Sequence, residues 1–310
     1  MPSPSIHIPV LTDPVVDWLA LTAPGLLVDA TLGLGGHAAA LLSAAPGFQL
    51  LGVDRDPEAV AEARRRLEPY AHRVTLVEAT FDRVPELLVE CNLPPPAAIL
   101  ADLGCSSLQL DTPERGFSFG ADGPLDMRMG SDGATAAELV NTADEGELVN
   151  IFWRYGEERR SRAVARAIVR QRPLDSTDGL RRLVERVVPR RRGQKIHPAT
   201  RVFQALRIAV NDELGQLERF IEPAVRSLRP GGRMAVISFH SLEDRIVKHS
   251  FARLQGKCTC PPDFPECRCE PEELVRVLTR SPIRPTDDEI RANPRSRSAR
   301  MRVVERSEGS

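Results

Sequence analysis

The stretch between residues 26 and 37 constrains the fold more than any other part of the sequence. An apolar run of strand length ends in a glycine cluster, and an Ala- and Leu-rich segment follows from Ala38 to Leu42. This order predicts a strand, a tight turn and a helix, the opening unit of a nucleotide-binding α/β sheet. Glycines such as Gly35 and Gly36 let a ligand approach the backbone, where the free N–H groups of the helix start face it. The alternative is a glycine turn that serves packing only.

Three further apolar runs each end in a residue suited to a nucleotide site. One ends at Asp54, about 20 residues after the loop, the usual distance for a carboxylate that accepts ribose hydroxyls. An acid there could instead cap the next helix, but Asp56, followed by Pro and Glu, already fits that cap. A third predicted strand ends in Phe81, where an adenine would lie, and a fourth ends in Asp102. The pattern predicts a parallel sheet with a ligand across its carboxyl edge.

The composition fits a soluble protein with a hydrophobic core. Of 310 residues, 42% are hydrophobic and 27% are charged, and the net charge is −1. Any affinity for nucleic acid must therefore come from local clusters of charge. No apolar run approaches the length of a membrane span, and the N-terminus lacks the features of a signal peptide, so we expect a cytoplasmic protein without a membrane partner. The six cysteines do not suit a disulfide scaffold in a chain of this size.

The stretch 112–132 reads as a loop with several glycines. A long glycine-bearing loop that leaves the carboxyl edge of a sheet is often a lid or a substrate loop. Its Phe117 and Phe119 could anchor the loop in a core or offer a stacking surface to a base. We favour the anchor, because aromatic side chains pack more often than they stack on ligands.

From residue 135 to about 214 the pattern is helical throughout and locally basic. Five helices are predicted, the last a long one from Pro198 to about Leu228 with one apolar face. Basic residues outnumber acidic ones between 154 and 207, and three of them share one helical stripe: Arg162, Arg166 and Arg170. A charged stripe is usually a solvated face, but a strong local excess in a near-neutral chain favours phosphate contacts.

The sheet pattern returns at 231–240, so the helical block is an insertion in one α/β domain. We predict a discontinuous sheet domain of residues 1–111 and 215–310, and an inserted basic, substrate-recognising helical domain of residues 112–214. A closing strand is expected at 298–304. The fold class is therefore α/β, a Rossmann-like sheet with an inserted all-helical domain.

Four cysteines near the C-terminus form two Cys-x-Cys pairs: Cys258, Cys260, Cys267 and Cys269. The pairs resemble a zinc knuckle, but zinc ligands are usually separated by two to four residues and the loop between the pairs is short. A structural tetrathiolate and free thiols both stay open, and we assign no metal ligand.

The glycine loop does not by itself select a cofactor, since Gly33, Gly35 and Ala38 also fit a lenient dinucleotide pattern. Two features favour S-adenosyl-L-methionine. The segment from Asp102 to Ser107 lies where amino-methyltransferases keep a polar motif that holds the target nitrogen, and no second dinucleotide half follows. The basic helical block is what a nucleic-acid substrate would require.

Several long motifs resemble those of one family. They are Asp102–Asp111, Arg115–Phe119 with Asp122–Met129, Tyr155–Arg159, His197–Ile208 and Ser238–Lys248. The chain is similar to the bacterial 16S rRNA (cytosine-N4)-methyltransferases of the MraW type, from His7 to about Val304.

The resemblance implies a class I S-adenosyl-L-methionine-dependent methyltransferase that modifies the exocyclic amine of one cytidine in the decoding region of 16S rRNA, within the small ribosomal subunit. It also implies cofactor contacts at seven positions: Gly35, Gly36, His37, Asp54, Phe81, Asp102 and Gln109. Of these, His37 and Gln109 rest on the resemblance alone, since a lone histidine at a helix start is more often a cap. The sequence does not distinguish a monomer from a homodimer.

A cytosine amine is a weak nucleophile because its lone pair is delocalised into the ring. Our hypothesis is direct in-line transfer, in which the enzyme supplies positioning and an acceptor for one amino hydrogen. Asp102 is the expected acceptor, helped by the hydroxyls of Ser106 and Ser107. Cys105 is expected to be a bystander, because the ring carbon is not the target. Other amino-methyltransferases end this motif in Pro-Pro-Tyr or Pro-Pro-Trp, so the orientation of the base is not fixed by the motif.

Three other functions compete with this one. A nicotinamide-dependent oxidoreductase would need the second dinucleotide half, which is missing. A non-catalytic RNA-binding assembly factor would have no reason to keep Asp54 and Asp102 beside the glycine loop. A protein methyltransferase fits the arginine-rich insertion less well than an enzyme acting on RNA.

Overall fold

The computed structural model describes residues 9–190, 193, 197–257 and 272–308. The four cysteines near the C-terminus lie outside these described residues, as do three members of the basic block: Arg191, Arg192 and Lys195. The chain divides into two compact units. The first, called here the sheet unit, is Met1–Gly104 with Leu214–Ser310, and the second, the helical unit, is Cys105–Glu213.

A seven-stranded sheet forms the centre of the sheet unit. Its strands are β1 Gly25–Asp29, β2 Phe48–Asp54, β3 Val74–Glu78, β4 Ala98–Asp102, β5 Arg233–Ser238, β6 Val275–Val277 and β7 Arg300–Arg306. They lie in the order β3-β2-β1-β4-β5-β7-β6. The first five strands are parallel, and β7 runs antiparallel to both of its neighbours. The predicted Rossmann-like α/β sheet is confirmed.

Thirteen α-helices occur in the described residues. In the sheet unit they are α1 Thr12–Leu19, α2 Gly36–Ala44, α3 Pro57–Arg66, α4 Val84–Glu90, α12 Ser241–Leu254 and α13 Asp287–Ala292. The helical unit contains α5 Ser107–Asp111, α6 Ala136–Thr142, α7 Glu145–Arg154, α8 Ser161–Gln171, α9 Thr177–Val187 and α10 Ala199–Asn211. α11, Glu213–Ser227, starts at the last residue of the helical unit and continues in the sheet unit. None of these helices combines the length and the apolar character needed to cross a bilayer.

The sheet is buried on both faces, which explains why its strands are apolar without alternation. Leu26 and Val28 of β1 pack in the core on one face, whereas Leu27 packs in the core on the other. The same alternation holds in β4, where Ile99 and Leu100 enter opposite cores. Successive side chains of a strand point to opposite faces, so a central parallel strand needs apolar residues throughout.

Three neighbouring strands end in carboxylates at the same edge of this sheet. β2 ends at Asp54, β1 at Asp29 and β4 at Asp102, and these strands lie side by side. The carboxyl edge of a parallel sheet is where α/β proteins bind ligands, at the point where the strand order reverses. Here that reversal lies between β1 and β4, so the sheet unit presents its acids at the expected position.

The helical unit has a core of its own, made by α6 to α10 and the loop before them. Phe117 is buried in this core. Phe119 packs edge-on against Phe203, with the ring centres 4.9 Å apart, and lies 4.8 Å from the ring of His197. Both phenylalanines are therefore anchors of the loop, the alternative that the sequence favours.

The long helix predicted for 198–228 is wrong, because two helices occupy that stretch. α10 ends at Asn211, and Asp212 adopts a left-handed conformation with φ 48° before α11 begins. The apolar stripe also serves two cores: Phe203 lies in that of the helical unit, and Ile221 in that of the sheet unit. A single helical periodicity in the sequence therefore covers two helices that pack in different hydrophobic cores.

Two boundaries differ from their predicted positions. The third strand ends at Glu78, and Phe81 begins a short 3-10 helix rather than ending the strand. The helical unit begins at Cys105, earlier than the predicted 112, because α5 packs Leu110 against the core of that unit.

Candidate functional site

The glycine loop between β1 and α2 combines left-handed backbone with close packing. Gly33 has φ 50° and Gly35 has φ 72°, a region that side chains rarely adopt. Beyond Gly33 the space is open as far as the described residues show, so this glycine is free to face a ligand. A Cβ on Gly36 would collide with the ring of Pro9, and one on Gly35 would lie 3.3 Å from the Cβ of Ala63. Gly36 is therefore required by packing and Gly35 is favoured by its left-handed backbone, whatever contact they make with a ligand.

Asp54 closes β2 and holds the glycine loop. Its Oδ2 accepts a hydrogen bond from the N–H of Gly33 at 2.7 Å, and its Oδ1 accepts one from the N–H of Asp56 at 2.9 Å. Asp56 is the N-cap of α3, as the sequence predicts, and accepts from the N–H of Glu58 at 3.1 Å. Burial raises the pKa of Asp54, and the two backbone donors partly offset that rise. The ribose contact of Asp54 stays a prediction.

Asp29 and Asp102, which end neighbouring strands, each keep one buried oxygen without a hydrogen-bond partner among the described residues. These oxygens are Oδ2 of Asp29 and Oδ1 of Asp102. Thr31 lies between the two strand ends: its N–H donates to Oδ1 of Asp29 at 3.4 Å, and its Oγ1 accepts from the N–H of Asp102 at 2.6 Å. An unpaired buried acceptor costs about 1–3 kcal/mol, so two of them at one edge indicate a place for donors or a cation from a ligand.

The electrostatics of this edge favour a positive charge. Burial raises the pKa of Asp29 to about 7. Burial also raises the pKa of Asp102 well above its ordinary range, and the nearby charges of Asp29 and Glu243 add to the rise. Because the charge of Asp29 disfavours ionisation of Asp102, and the charge of Asp54 disfavours ionisation of Asp29, a cation bound beside these carboxyl groups would stabilise their ionised forms.

His37 lies in the first turn of α2 and links the N-terminal segment to Asp102. Its side chain is buried, with Nε2 2.8 Å from the carbonyl oxygen of Val10 and Nδ1 3.7 Å from Oδ2 of Asp102. A hydrogen bond to a carbonyl requires Nε2 to carry a proton, which fixes the ring orientation. The structure thus places the imidazole of His37 beside Asp102, at ion-pair distance when both ring nitrogens carry a proton, and sequence reasoning could assign this position only through the resemblance.

Glu243 is a second buried acid near the same strands, which the sequence analysis did not single out. Its Oε2 accepts from the backbone N–H groups of Phe239 and His240 at 2.8 and 3.2 Å, at the turn between β5 and α12. Its Oε1 lies 3.0 Å from Nε2 of His240, although without hydrogen-bond geometry. The signal was present, since a Glu three residues after a helix cap is the spacing of a capping box.

Phe81, the predicted adenine contact, is half-buried and packs edge-on against Phe220, with the ring centres 5.2 Å apart. The ring is therefore held in place by the core of the sheet unit. Its contact with an adenine stays a prediction.

In the helical unit, Ser106 and Gln109 bind each other. Oγ of Ser106 accepts from the N–H of Gln109 at 3.2 Å, and Oε1 of Gln109 accepts from the N–H of Ser106 at 3.1 Å, a capping box at the start of α5. Nε2 of Gln109 also lies 3.4 Å from the carbonyl oxygen of Met129, and the side chain is buried. Ser106 and Gln109 thus both stabilise the start of α5. Ser107, in contrast, is the first residue of the helix and is partly exposed.

The motif 122–129 is held in place by α10. Asn211 donates from Nδ2 to the carbonyl oxygen of Met127 at 2.8 Å and accepts at Oδ1 from the N–H of Met129 at 2.9 Å. Asp126 binds the guanidinium of Arg128 at 2.8 and 2.9 Å, which lowers the pKa of this carboxyl. The motif therefore shapes the loop: Asp126 and Arg128 pair with each other, and Asp122 accepts from the N–H of Asp178 at 3.0 Å.

Cys105 lies beside a partly buried ion pair. Its Sγ accepts from Nη1 of Arg207 at 3.4 Å, and the same guanidinium pairs with Glu213 at 2.7 and 2.8 Å. The bystander role expected for Cys105 stays a prediction that its substitution can test.

The predicted site residues thus fall into two groups. Six lie in the sheet unit: Gly35, Gly36, His37, Asp54, Phe81 and Asp102. Three lie in the helical unit: Ser106, Ser107 and Gln109. The sheet unit adds Asp29, Thr31 and Glu243, which sequence reasoning missed; Asp29 ends an apolar run just as Asp54 and Asp102 do, and that pattern would have revealed it.

Comparison with known proteins gives a consistent result. The profile of the MraW methylase family matches residues 4–307. Ribosomal RNA small subunit methyltransferase H of Geotalea uraniireducens is 50% identical over 306 residues, which cover 97% of this chain and 98% of that protein. The protein of the same name from Paenibacillus sp. is 49% identical, with 97% and 99% covered. Among solved structures, an rRNA methylase from Streptococcus thermophilus aligns with a TM-score of 0.45 and 12% identity, covering 99% of both chains.

Proposed function

This chain belongs to the MraW methylase family, and from that premise we propose that its rRNA methylation is directed at the exocyclic amine of one cytidine. S-adenosyl-L-methionine is the methyl donor. Under this proposal the cytidine lies in the decoding region of 16S rRNA, the rRNA is recognised within the small ribosomal subunit, and the reaction takes place in the cytoplasm. The observation that carries the proposal is the buried, unpartnered Oδ1 of Asp102 at the carboxyl edge of the sheet.

The residues at this edge fit the methyl donor. The donor carries positive charge, and the unpartnered oxygens of Asp29 and Asp102, both with raised pKa, favour a cation. The open space beside Gly33 and the carboxylate of Asp54 suit the ribose and its nucleoside. When bound, the donor supplies a methyl group made electrophilic by its positively charged sulfur.

Asp102 would then make the amine nucleophilic. A cytosine amine regains its lone pair when an acceptor takes one of its hydrogens, and Oδ1 of Asp102 is such an acceptor. Accepting a hydrogen requires the ionised form, and a cation beside the carboxyl lowers its raised pKa. His37, held by the carbonyl oxygen of Val10, lies with Nδ1 3.7 Å from Oδ2 of Asp102 and so limits the orientations open to the carboxyl. We assign His37 as a positioning residue.

Under this proposal Ser106 and Ser107 have different roles. The hydroxyl of Ser106 accepts a hydrogen bond in the α5 cap, so its first task is to start that helix. Ser107 has no capping task and is the serine that would support the target nitrogen. The side chain of Gln109 is fixed by the same cap. Its proposed contact with the cofactor rests only on the resemblance to the family.

A methyl-transfer assay with labelled S-adenosyl-L-methionine tests the proposal. Unmodified small subunits and free 16S rRNA are the substrates, and mass analysis of the nucleosides identifies the product. We expect 4-methylamino-cytidine at one site, loss of transfer by roughly 100-fold or more in Asp102→Ala, and near-normal transfer in Cys105→Ala. Thermal unfolding of both variants controls for folding. A folded Cys105→Ala protein that binds the donor but transfers no methyl group would overturn the mechanism.

A further inference from the structure

An indole ring stands out of the helical unit at the end of α7. Trp153 is 59% exposed, whereas its neighbours Ile151 and Phe152 are buried in the core of the unit. The ring is therefore not needed to cover the core, since the opposite face of α7 does so. A large aromatic residue in this setting is available for a partner.

The backbone beside this ring is fixed. The N–H of Glu158 donates to the carbonyl oxygen of Phe152 at 3.0 Å, which folds the connection back onto the last turn of α7. A Cβ on Gly156 would lie 2.5 Å from the carbonyl oxygen of Arg201, so α10 approaches the connection too closely for any other residue. The motif Tyr155–Arg159, which the catalytic proposal leaves without a role, is thus a rigid turn that presents Trp153.

The same end of the α7–α8 pair carries arginines without carboxylate partners. α7 and α8 form an antiparallel hairpin, because only the connection 155–160 joins them and they pack against each other, with Glu145 at the start of α7 3.6 Å from Arg166 on α8. Arg154 ends α7, and two further arginines flank the start of α8, so all three lie at the end where Trp153 projects: Arg154, Arg159 and Arg162. All three are exposed, and none has an ion pair or a side-chain hydrogen bond among the described residues.

The acids nearby do not neutralise this charge. Glu158 is buried, and its Oε1 accepts from the backbone N–H of Arg160 at 2.8 Å. Glu157 is the only exposed acid of the motif, so a single exposed carboxylate accompanies the three guanidinium groups. By contrast, Arg182 on α9, which is equally part of the basic block, already pairs with Asp178 at 2.6 Å. Arg170, in the last turn of α8, is also exposed without an ion pair among the described residues, but three of the unpaired arginines of the α7–α8 pair lie together at the end beside Trp153.

We propose that this end, called here the hairpin tip and defined as Trp153, Arg154, Arg159 and Arg162, binds an unpaired stretch of rRNA. The indole stacks on one exposed base, and the three guanidinium groups bind the flanking phosphates. Single-stranded RNA offers free base faces and a dense row of negative charge, whereas a duplex hides its bases in the stack. This inference rests on the proposed function, since it names a surface of the helical unit that holds the same substrate.

Intrinsic fluorescence tests the stacking directly. The chain has two tryptophans, and Trp18→Phe leaves Trp153 as the only one, so excitation at wavelengths that the two tyrosines do not absorb reports on Trp153 alone. Titration with a single-stranded RNA oligonucleotide of the substrate region should quench the emission to saturation, and the same oligonucleotide annealed to its complement should not. A protein that binds the single strand, as shown by polarisation of a labelled RNA, without any change in Trp153 emission overturns the inference. Equal quenching by an acidic peptide would assign the surface to a protein partner and would also overturn it.

Substitutions at the hairpin tip separate this inference from the proposed function. We expect Trp153→Ala to weaken RNA binding roughly 5- to 100-fold, and Trp153→Phe to retain most of the affinity because a ring remains. Arg162→Ala should also weaken binding, whereas Arg182→Ala, the matched control on α9, should not. Donor affinity and thermal midpoint should stay unchanged throughout. If the wild-type protein methylates rRNA and Trp153→Ala binds the RNA equally well, the hairpin tip is not a contact surface, although the proposed function holds. If the wild-type protein labels no rRNA, the proposed function itself fails.

Discussion

At the scale of single residues, the two carboxyl groups that end β1 and β4 couple ligand binding to protons. With a pKa of about 7, Asp29 is about half protonated in the free protein at neutral pH, and the pKa of Asp102 is also raised. A positively charged ligand favours the ionised forms and lowers both pKa values. Binding of S-adenosyl-L-methionine should therefore release protons, and its affinity should rise with pH through about 7, where Asp29 ionises.

Calorimetry in buffers of different ionisation enthalpy measures the protons released. Asp29→Asn should reduce their number and flatten the pH dependence of the dissociation constant, because an amide does not titrate. S-adenosylhomocysteine, which lacks the positive sulfur, should release fewer protons than the methyl donor. A binding heat that is identical in all buffers near pH 7 would contradict the prediction.

The residues of this edge also show what a sequence reveals about a site. Asp54 and Asp102 could be predicted because each ends an apolar run in a parallel-sheet pattern. Asp29 carries the same signal, but it is followed directly by the glycine loop, whose own pattern dominates the segment. The contact of His37 with Val10 and Asp102 spans distant parts of the chain, so no local pattern contains it.

At the scale of elements, the start of α5 contains two adjacent serines with different expected roles, one in helix capping and one in catalysis. Ser106 caps this five-residue helix through the capping box with Gln109, whereas Ser107 follows the cap. We expect Ser106→Ala to lower the free energy of unfolding by about 1 kcal/mol and Ser107→Ala to leave it unchanged. If Ser107 supports the target nitrogen, its alanine variant should lose methyl transfer at full stability. Chemical denaturation and the transfer assay measure the two effects.

Ser106→Thr is the control for this pair, since threonine keeps a hydroxyl that can cap. It should restore most of the stability lost in Ser106→Ala. Equal losses of stability in the two alanine variants would show that Ser106 is not the serine that caps α5.

The break between α10 and α11 shows where periodicity fails. The apolar stripe from 203 to 221 keeps helical spacing across Asp212, so the pattern alone predicts one helix. Aspartate tolerates the left-handed region better than most residues, yet it is neither Gly nor Pro, the usual signs of a helix end. The break depends on which core each half enters, and that is information from tertiary packing.

At the scale of the whole molecule, the sequence predicts the order of the structural segments along the chain more fully than the boundary between the two units. The glycine loop, the strand ends and the return of the sheet pattern after the basic block identify a sheet with an inserted helical segment. The three-residue β6 and the start of the helical unit at Cys105 could not be found, because a strand this short has no periodicity and the unit boundary depends on which core receives Leu110.

The distribution of charge over the molecule leads to a last prediction. The net charge is only −1, so the chain as a whole does not attract RNA, and binding should depend on the uncompensated arginines of the hairpin tip. Three phosphate contacts to a single strand should give a slope of about −2 for the logarithm of RNA affinity against the logarithm of salt concentration. Donor binding, which relies on buried carboxyl groups, should change little over the same range because salt screens buried charges weakly. Replacing Arg154, Arg159 and Arg162 together by alanine should make the RNA slope shallower by about 2. A slope that is unchanged in this variant would show that other basic residues carry the contact with RNA.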